Sequence, residues 1–188
     1  MELILIRHGC TQSNLERRYL GRSDEPLCSL GRQQAEALRR TGLPIPNALF
    51  VSPLARCIQT AKIVFPNVSR VVVPQFIELD FGEFEGHTHE KLMALDSYAQ
   101  WLQTGGESPV PKGETRSALC ARVRRGFLET VVPCACERAA LVVHSGTIMA
   151  LLSEFSPRAF YECYVANGGW VLCSWDGAAI TVKGGALS

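Results

Sequence analysis

A three-layer α/β/α sandwich, with helices on both faces of a mostly parallel sheet, is the fold this sequence predicts. Three observations carry the expectation. Short β-branched apolar runs alternate with longer helical stretches along the whole chain. The runs are continuously hydrophobic, as in strands covered on both faces. Near the C-terminal end, Asp176-Gly177 between two apolar runs is a hairpin signal, which adds an antiparallel edge strand.

Taken in order, residues 2–6 read as a buried strand that breaks at Gly9. Ser29 is placed to cap a helix reaching about Thr41, with Gly42 as its stop. Residues 48–51 form a second strand. After it, Ser52 caps a helix whose first position is Pro53, where the missing N–H costs nothing. Leu54, Ile58, Ala61 and Phe65 give that helix one apolar face, and Pro66 ends it. Residues 71–73 are a third strand, and 76–86 have neither period and read as an ordered loop. Leu92, Leu95 and Leu102 mark one further helix, and 104–113 a Gly/Pro-rich loop. Leu119, Val123, Phe127 and Val131 form a helical stripe stopped by Pro133; 139–143 is a strand running into His144, followed by a helix over 146–153. The hairpin pairs 170–174 with 179–182. No repeat or low-complexity tract interrupts this order, so residues 1–188 are expected to form one domain.

Composition narrows the function. Nineteen basic side chains face 18 acidic ones, a net charge of +1, which provides no field for nucleic acid or an anionic membrane. No apolar run is long enough to span a bilayer. Met1 leads almost directly into the first strand with no basic n-region and no cleavage site, so a cytoplasmic location is expected. The eight cysteines contain no CxxC spacing; small thiols are expected, rather than a zinc or redox centre. His87-x-His89 with Glu90 is read as solvent-exposed or at the rim of a pocket, not as a metal site.

In open parallel sheets the ligand sits beyond the carboxyl ends of the strands. That rule selects Arg7-His8-Gly9, residues 52–56, Glu78 and His144-Ser145-Gly146. Arg7 and Arg56 offer planar forks of donors matched to a phosphate dianion. Arg56 is also expected in the first turn of its helix, where free backbone N–H groups favour an anion. His144 adds charge if protonated. His8 is the candidate nucleophile: a neutral imidazole with one nitrogen pinned by a backbone carbonyl presents the other for attack at phosphorus, and Gly9 allows close backbone approach to the ring. Glu78 is the candidate proton donor, its pKa raised by Phe76, Phe81 and Phe84 around it.

These residues resemble the histidine phosphatase superfamily, phosphoglycerate-mutase-like branch. The resemblance rests on four ordered blocks: Leu5-Ile6-Arg7-His8-Gly9 with Thr11 and Asn14, residues 52–61, residues 78–86, and Val142-Val143-His144-Ser145-Gly146; 29–35 and 113–115 look familial too. It implies a phosphohistidine on His8, a phosphate pocket of Arg7, Arg56 and His144, and Glu78 as acid and then base. Asn14 and Ser145 would bind substrate. No metal or organic cofactor is implied, and the partner is a small phosphorylated substrate. Cys10 stands where the family commonly has Glu or Gln, and Ser145 where Gly is frequent; Cys10 is either activated by the nearby arginines or an inert buried thiol. Within the branch, the short length and the Leu79–Glu83 block look most like α-ribazole phosphatases and broad-specificity phosphatases, with α-ribazole 5′-phosphate as one substrate. The alternatives are a cofactor-dependent phosphoglycerate mutase, disfavoured by the short stretch between Glu78 and Trp101, and a non-catalytic phospholigand-binding module.

Overall fold

The structure is a computed structural model and describes residues 1–187. The first strand, β1 (Glu2–Arg7), shows why its sequence is continuously apolar. Leu3 and Leu5 join the core on one face of the sheet, Ile4 and Ile6 the core on the other, and all four are fully buried. The same division splits β2 (Ala48–Val51) and β4 (Arg138–Val143): Phe50, Leu141 and Val143 go one way, and Leu49, Val51, Ala140 and Val142 the other. With β3 (Arg70–Val72), β5 (Trp170–Trp175) and β6 (Ile180–Gly185) they form one six-stranded sheet in the order β3-β2-β4-β1-β5-β6.

The strands β1, β2, β3 and β4 run parallel to one another, with Arg7 opposite Val143 and Val51 opposite Val142. The antiparallel strand is β5, against β1; β6 returns beside it and makes the edge. The antiparallel addition is therefore a hairpin, its antiparallel strand one place in from the rim.

On one face lie α2 (Ser29–Arg40) and α3 (Ala55–Val64), which bury Ala35, Leu38, Cys57, Ala61 and Val64. On the other lie α6 (Arg116–Gly126) and α7 (Ser145–Phe155), which contribute Leu119, Val123, Ile148 and Leu152. The short α1 (Gln12–Leu15), α4 (His89–Leu92) and α5 (Asp96–Gln103) sit in the connections. No helix among the described residues is long and apolar enough to cross a membrane.

Several local expectations are corrected. Ser29 is the first helical residue and caps nothing; Cys28 holds the cap position without a side-chain bond. Ser52 and Pro53 precede α3, which starts at Ala55; the Ala55 N–H is taken at 2.7 Å by Asp24 Oδ1, a carboxylate thirty-one residues away in sequence. The helix expected through Leu92, Leu95 and Leu102 is two, separated by Met93–Leu95. A 3₁₀ turn at Pro74–Phe76 leads into the loop 76–86, which contains a second at Gly82–Phe84. The stripe from Leu119 to Val131 is buried throughout, but its last turn, Phe127–Val131, widens to π geometry before Pro133.

Gly9 is required, although not by the imidazole. Its Cα packs on the backbone of Gly31 in α2, and an added methyl would overlap the Gly31 carbonyl. Because the obstacle is main chain, Gly9→Ala should destabilise the fold by about 1–3 kcal/mol, at the upper end of that range. Urea unfolding checks this; an unchanged midpoint would show that α2 is free to move away.

Candidate active site

The sheet order gathers the site. Because β4 lies between β1 and β2, the residues just past three neighbouring parallel strands (His8, His144 and Ser52) stand side by side. The His8 and His144 rings are 5.1 Å apart, nearly edge to face, and His144 Nε2 meets Ser52 Oγ at 2.7 Å. Both imidazoles are buried. The His8 backbone continues the ladder, with its N–H on the Val143 carbonyl, and its own carbonyl accepts from Gly168 N–H, each at 3.0 Å.

His8 Nδ1 lies 2.7 Å from the carbonyl oxygen of Gly9. A carbonyl only accepts, so Nδ1 carries the proton and Nε2 keeps its lone pair. Burial, and then the charges of Arg56 and Arg7, hold the His8 pKa well below its ordinary value. His144 is lowered by the same causes, with His8 itself contributing. These surroundings oppose the protonated His144 considered from sequence; a dianion beside the ring is what would favour that charge.

Arg56 is almost wholly buried, and its guanidinium is cradled by two carbonyls, Nη1 on Ser23 at 2.8 Å and Nη2 on Gly21 at 2.6 Å. That cradle is built by Glu85, whose carboxylate accepts the Arg22 N–H at 2.6 Å, the Ser23 N–H at 3.0 Å and the Ser23 hydroxyl. Arg7 donates through Nη1 to the Val165 carbonyl at 2.8 Å and the Tyr164 hydroxyl at 3.0 Å, with the Tyr164 ring 5.3 Å from its Cζ. The Nε of each arginine is buried and has no partner among the described residues. An unpaired buried donor is costly, and two on guanidiniums whose fields both act on His8 mark a place arranged for an anion. Arg56 lies in the first turn of α3 as expected, and the leading N–H of that turn, on Ala55, is already taken by Asp24.

Glu78 is buried, and its carboxylate accepts the Leu79 N–H at 2.8 Å and the Gly146 N–H at 3.1 Å. A side chain at residue 146 would collide with this carboxylate, which explains the glycine at the start of α7. Burial raises the Glu78 pKa; the two N–H groups and the fields of Arg56 and Arg7 oppose it without cancelling it. Asn14 bonds back to Thr11 and accepts from Asn167 Nδ2 at 3.1 Å, so its oxygen is occupied and its amide N–H groups are what it can offer. Ser145 Oγ is 3.4 Å from the Val165 carbonyl.

A cavity of about 450 Å³ adjoins these groups. Arg7, Asn14, Arg18, Glu78 and Ser145 supply its polar lining, and Tyr19, Phe81, Trp101, Phe160, Tyr161 and Tyr164 an aromatic one, whereas His8, Arg56 and His144 lie behind that lining. The aromatic groups pack on one another; Trp101 stacks on Tyr98 and meets Tyr19 and Phe81 edge-on. His87 and His89 are exposed, and His89 Nδ1 pairs with the Tyr98 hydroxyl at 2.6 Å. Cys10 is not activated: burial, and then its neighbour Cys28, push its thiol up to about 11. All eight cysteines are free thiols.

Of the groups named from sequence, Arg7, Asn14, Glu78 and Ser145 line this cavity; Arg18, Tyr19, Tyr161 and Tyr164 line it too and are not among those named, nor is what holds the named groups in place. Sequence reading gives Ser52 a helix cap's role besides a place among the strand-end residues, and no role to Gly21, Ser23 and Glu85, or to Glu114 and Arg122, whose side chains bond the backbone that carries Glu78. The one available signal is that Glu85 and Glu114 lie within the blocks that look familial.

Comparison with known proteins agrees with this geometry. The sequence profile described as "Histidine phosphatase superfamily (branch 1)" matches residues 3–185. The adenosylcobalamin/alpha-ribazole phosphatase of Salmonella typhimurium is 31% identical over 179 residues, 90% of this chain and 88% of that protein. Among solved structures, the alpha-ribazole phosphatase from Shigella flexneri superposes with a TM-score of 0.87 at 25% identity, covering 100% of this chain and 96% of that one. The phosphoglycerate mutase from Thermus thermophilus gives 0.78 at 33% identity, with 100% of both chains covered. With the profile spanning nearly its whole length and two arginines acting on a buried histidine at the strand ends, this chain belongs to the histidine phosphatase superfamily and is a phosphoric monoester hydrolase.

Proposed function

We propose that the chain hydrolyses a small phosphorylated metabolite through a phosphohistidine on His8. The carrying observation is the His8–Gly9 hydrogen bond, which leaves Nε2 as a free lone pair within the fields of two guanidiniums that each hold an unpaired donor. In the first step Nε2 bonds to phosphorus as the P–O ester bond breaks, and the protonated Glu78 carboxyl gives its proton to the departing alkoxide. In the second step the Glu78 carboxylate takes a proton from water as the water oxygen attacks phosphorus. The P–N bond breaks, inorganic phosphate leaves, and His8 and Glu78 return to their starting states. Arg7, Arg56 and His144 stabilise the charge on the transferring group. Asn14 and Ser145, which line the same cavity, bind substrate.

The finer assignment concerns the alcohol. A cavity of about 450 Å³ is the size of a small organic ligand site, and its aromatic lining suits a flat, uncharged ring better than a carboxylate, because the Arg18 guanidinium on the same lining is already held by the Glu16 carboxylate and the Gly86 carbonyl. This supports α-ribazole 5′-phosphate over phosphoserine or phosphoglycerate. A panel of phosphorylated metabolites tests it: kcat/KM should be highest for esters carrying an aromatic base, and a preference for phosphoserine would remove the assignment. Likeness to the Thermus mutase keeps a mutase reading in view; interconversion of 2- and 3-phosphoglycerate without net phosphate release would establish it in place of hydrolysis.

A further inference from the structure

Between β3 and the Glu78 carboxylate the chain leaves the sheet, and the carbonyls of Gln75, Ile77 and Glu78 have no strand to pair with. One side chain satisfies all three. Arg122, on α6, donates through Nη1 to Gln75 at 2.8 Å and Ile77 at 2.6 Å, and through Nη2 to Glu78 at 2.9 Å. Its remaining donors grip Glu114 in a bidentate pair, Nε on Oε1 at 2.7 Å and Nη2 on Oε2 at 2.8 Å. The five N–H groups of the guanidinium are thus all used, and both partners are largely buried. Glu114 is itself tied to this segment by the Asp80 N–H at 3.4 Å.

We infer that Arg122, oriented by Glu114, is the positioning residue for the Glu78 carboxyl. The inference rests on the reading of Glu78 as the proton donor. Arg122 touches no reacting atom; it fixes the backbone from which Glu78 reaches the Gly146 N–H. A shift of about 1 Å at such a group is enough to cost roughly 100-fold in rate. A lysine is no equivalent, because a point charge with three donors on a flexible stem cannot span three carbonyls and a carboxylate together.

The test compares Arg122→Met, Arg122→Lys and Glu78→Gln on an alkyl phosphate and on p-nitrophenyl phosphate, whose leaving group needs little protonation. Arg122→Met should lose about 100-fold in kcat/KM on the alkyl ester and about tenfold less on the nitrophenyl ester, the pattern of Glu78→Gln. Arg122→Lys should show the same unequal pattern more weakly. Equal losses on both esters in the Arg122 variants, with unequal losses in Glu78→Gln, would overturn the inference and leave only a structural role. Equal losses in Glu78→Gln itself would instead overturn the reading of Glu78 as acid. If circular dichroism shows Arg122→Met unfolded, Arg122→Lys decides, and full recovery of both substrates there also counts against the inference.

Discussion

His8→Ala is expected to reduce phosphate release by four or more orders of magnitude on every substrate, including p-nitrophenyl phosphate. Without Nε2 there is no group to accept the phosphoryl from the ester, and losing a nucleophile costs far more than losing a binding contact. Labelled substrate quenched during turnover should leave acid-labile phosphate on the wild type and none on the variant. The variant should still fold, because the strand ladder through residue 8 uses only its backbone N–H and carbonyl. A second signature is thermodynamic. Burial, Arg56 and Arg7 lower the His8 pKa in the folded state. As pH falls below the ordinary histidine value of ~6.5, the unfolded chain takes up a proton that the folded chain refuses, so stability falls with it. His8→Ala removes this contribution, and its stability should decline less steeply over that range, with His144 supplying what remains. Retention of more than about a tenth of wild-type activity would end the case for His8.

Glu78→Gln should cost about 10²- to 10⁴-fold on alkyl phosphates and much less on p-nitrophenyl phosphate, since proton donation contributes only where the leaving group is basic. Its pH signature has the opposite sign from that of His8. The folded-state pKa of Glu78 is raised, so as pH climbs from the ordinary glutamate value of ~4.3 the unfolded chain ionises first and stability drops until the folded carboxyl has ionised too. The glutamine variant lacks this decline. Its absolute stability carries a competing loss, because both carboxylate oxygens accept backbone N–H groups and glutamine has only one acceptor oxygen. The slope of stability against pH, measured by urea unfolding at several pH values, is therefore the discriminating quantity. A slope identical to wild type would mean that Glu78 does not titrate differently in the folded chain.

How much of this is legible without coordinates follows from what local pattern encodes. The continuous apolar character of residues 2–6 and 139–143 announces strands covered on both faces, and β1 and β4 are such strands. The rule that ligands gather past strand ends then names His8, Arg56, Glu78 and His144 before any distance is known. Errors arise where a residue's partner is remote. Ser52 has the chemistry of a helix cap, but its hydroxyl bonds His144, ninety-two residues on, and accepts only the Leu54 N–H ahead of the helix at 3.4 Å, while the first helical N–H goes to Asp24. Met93–Leu95 continues an apolar pattern without continuing a helix, so the single helix expected there is two.

Burial periodicity and the chemical types of the side chains are properties of neighbouring residues, and these alone determined the class of fold and selected the candidate groups. The insertion of β4 between β1 and β2, the carbonyl cradle around Arg56 and the grip of Arg122 on the Glu78 segment were decided only by the tertiary structure. Each joins chain segments dozens of residues apart. A hydrophobic period says that a face is covered; it carries no information about which distant segment covers it.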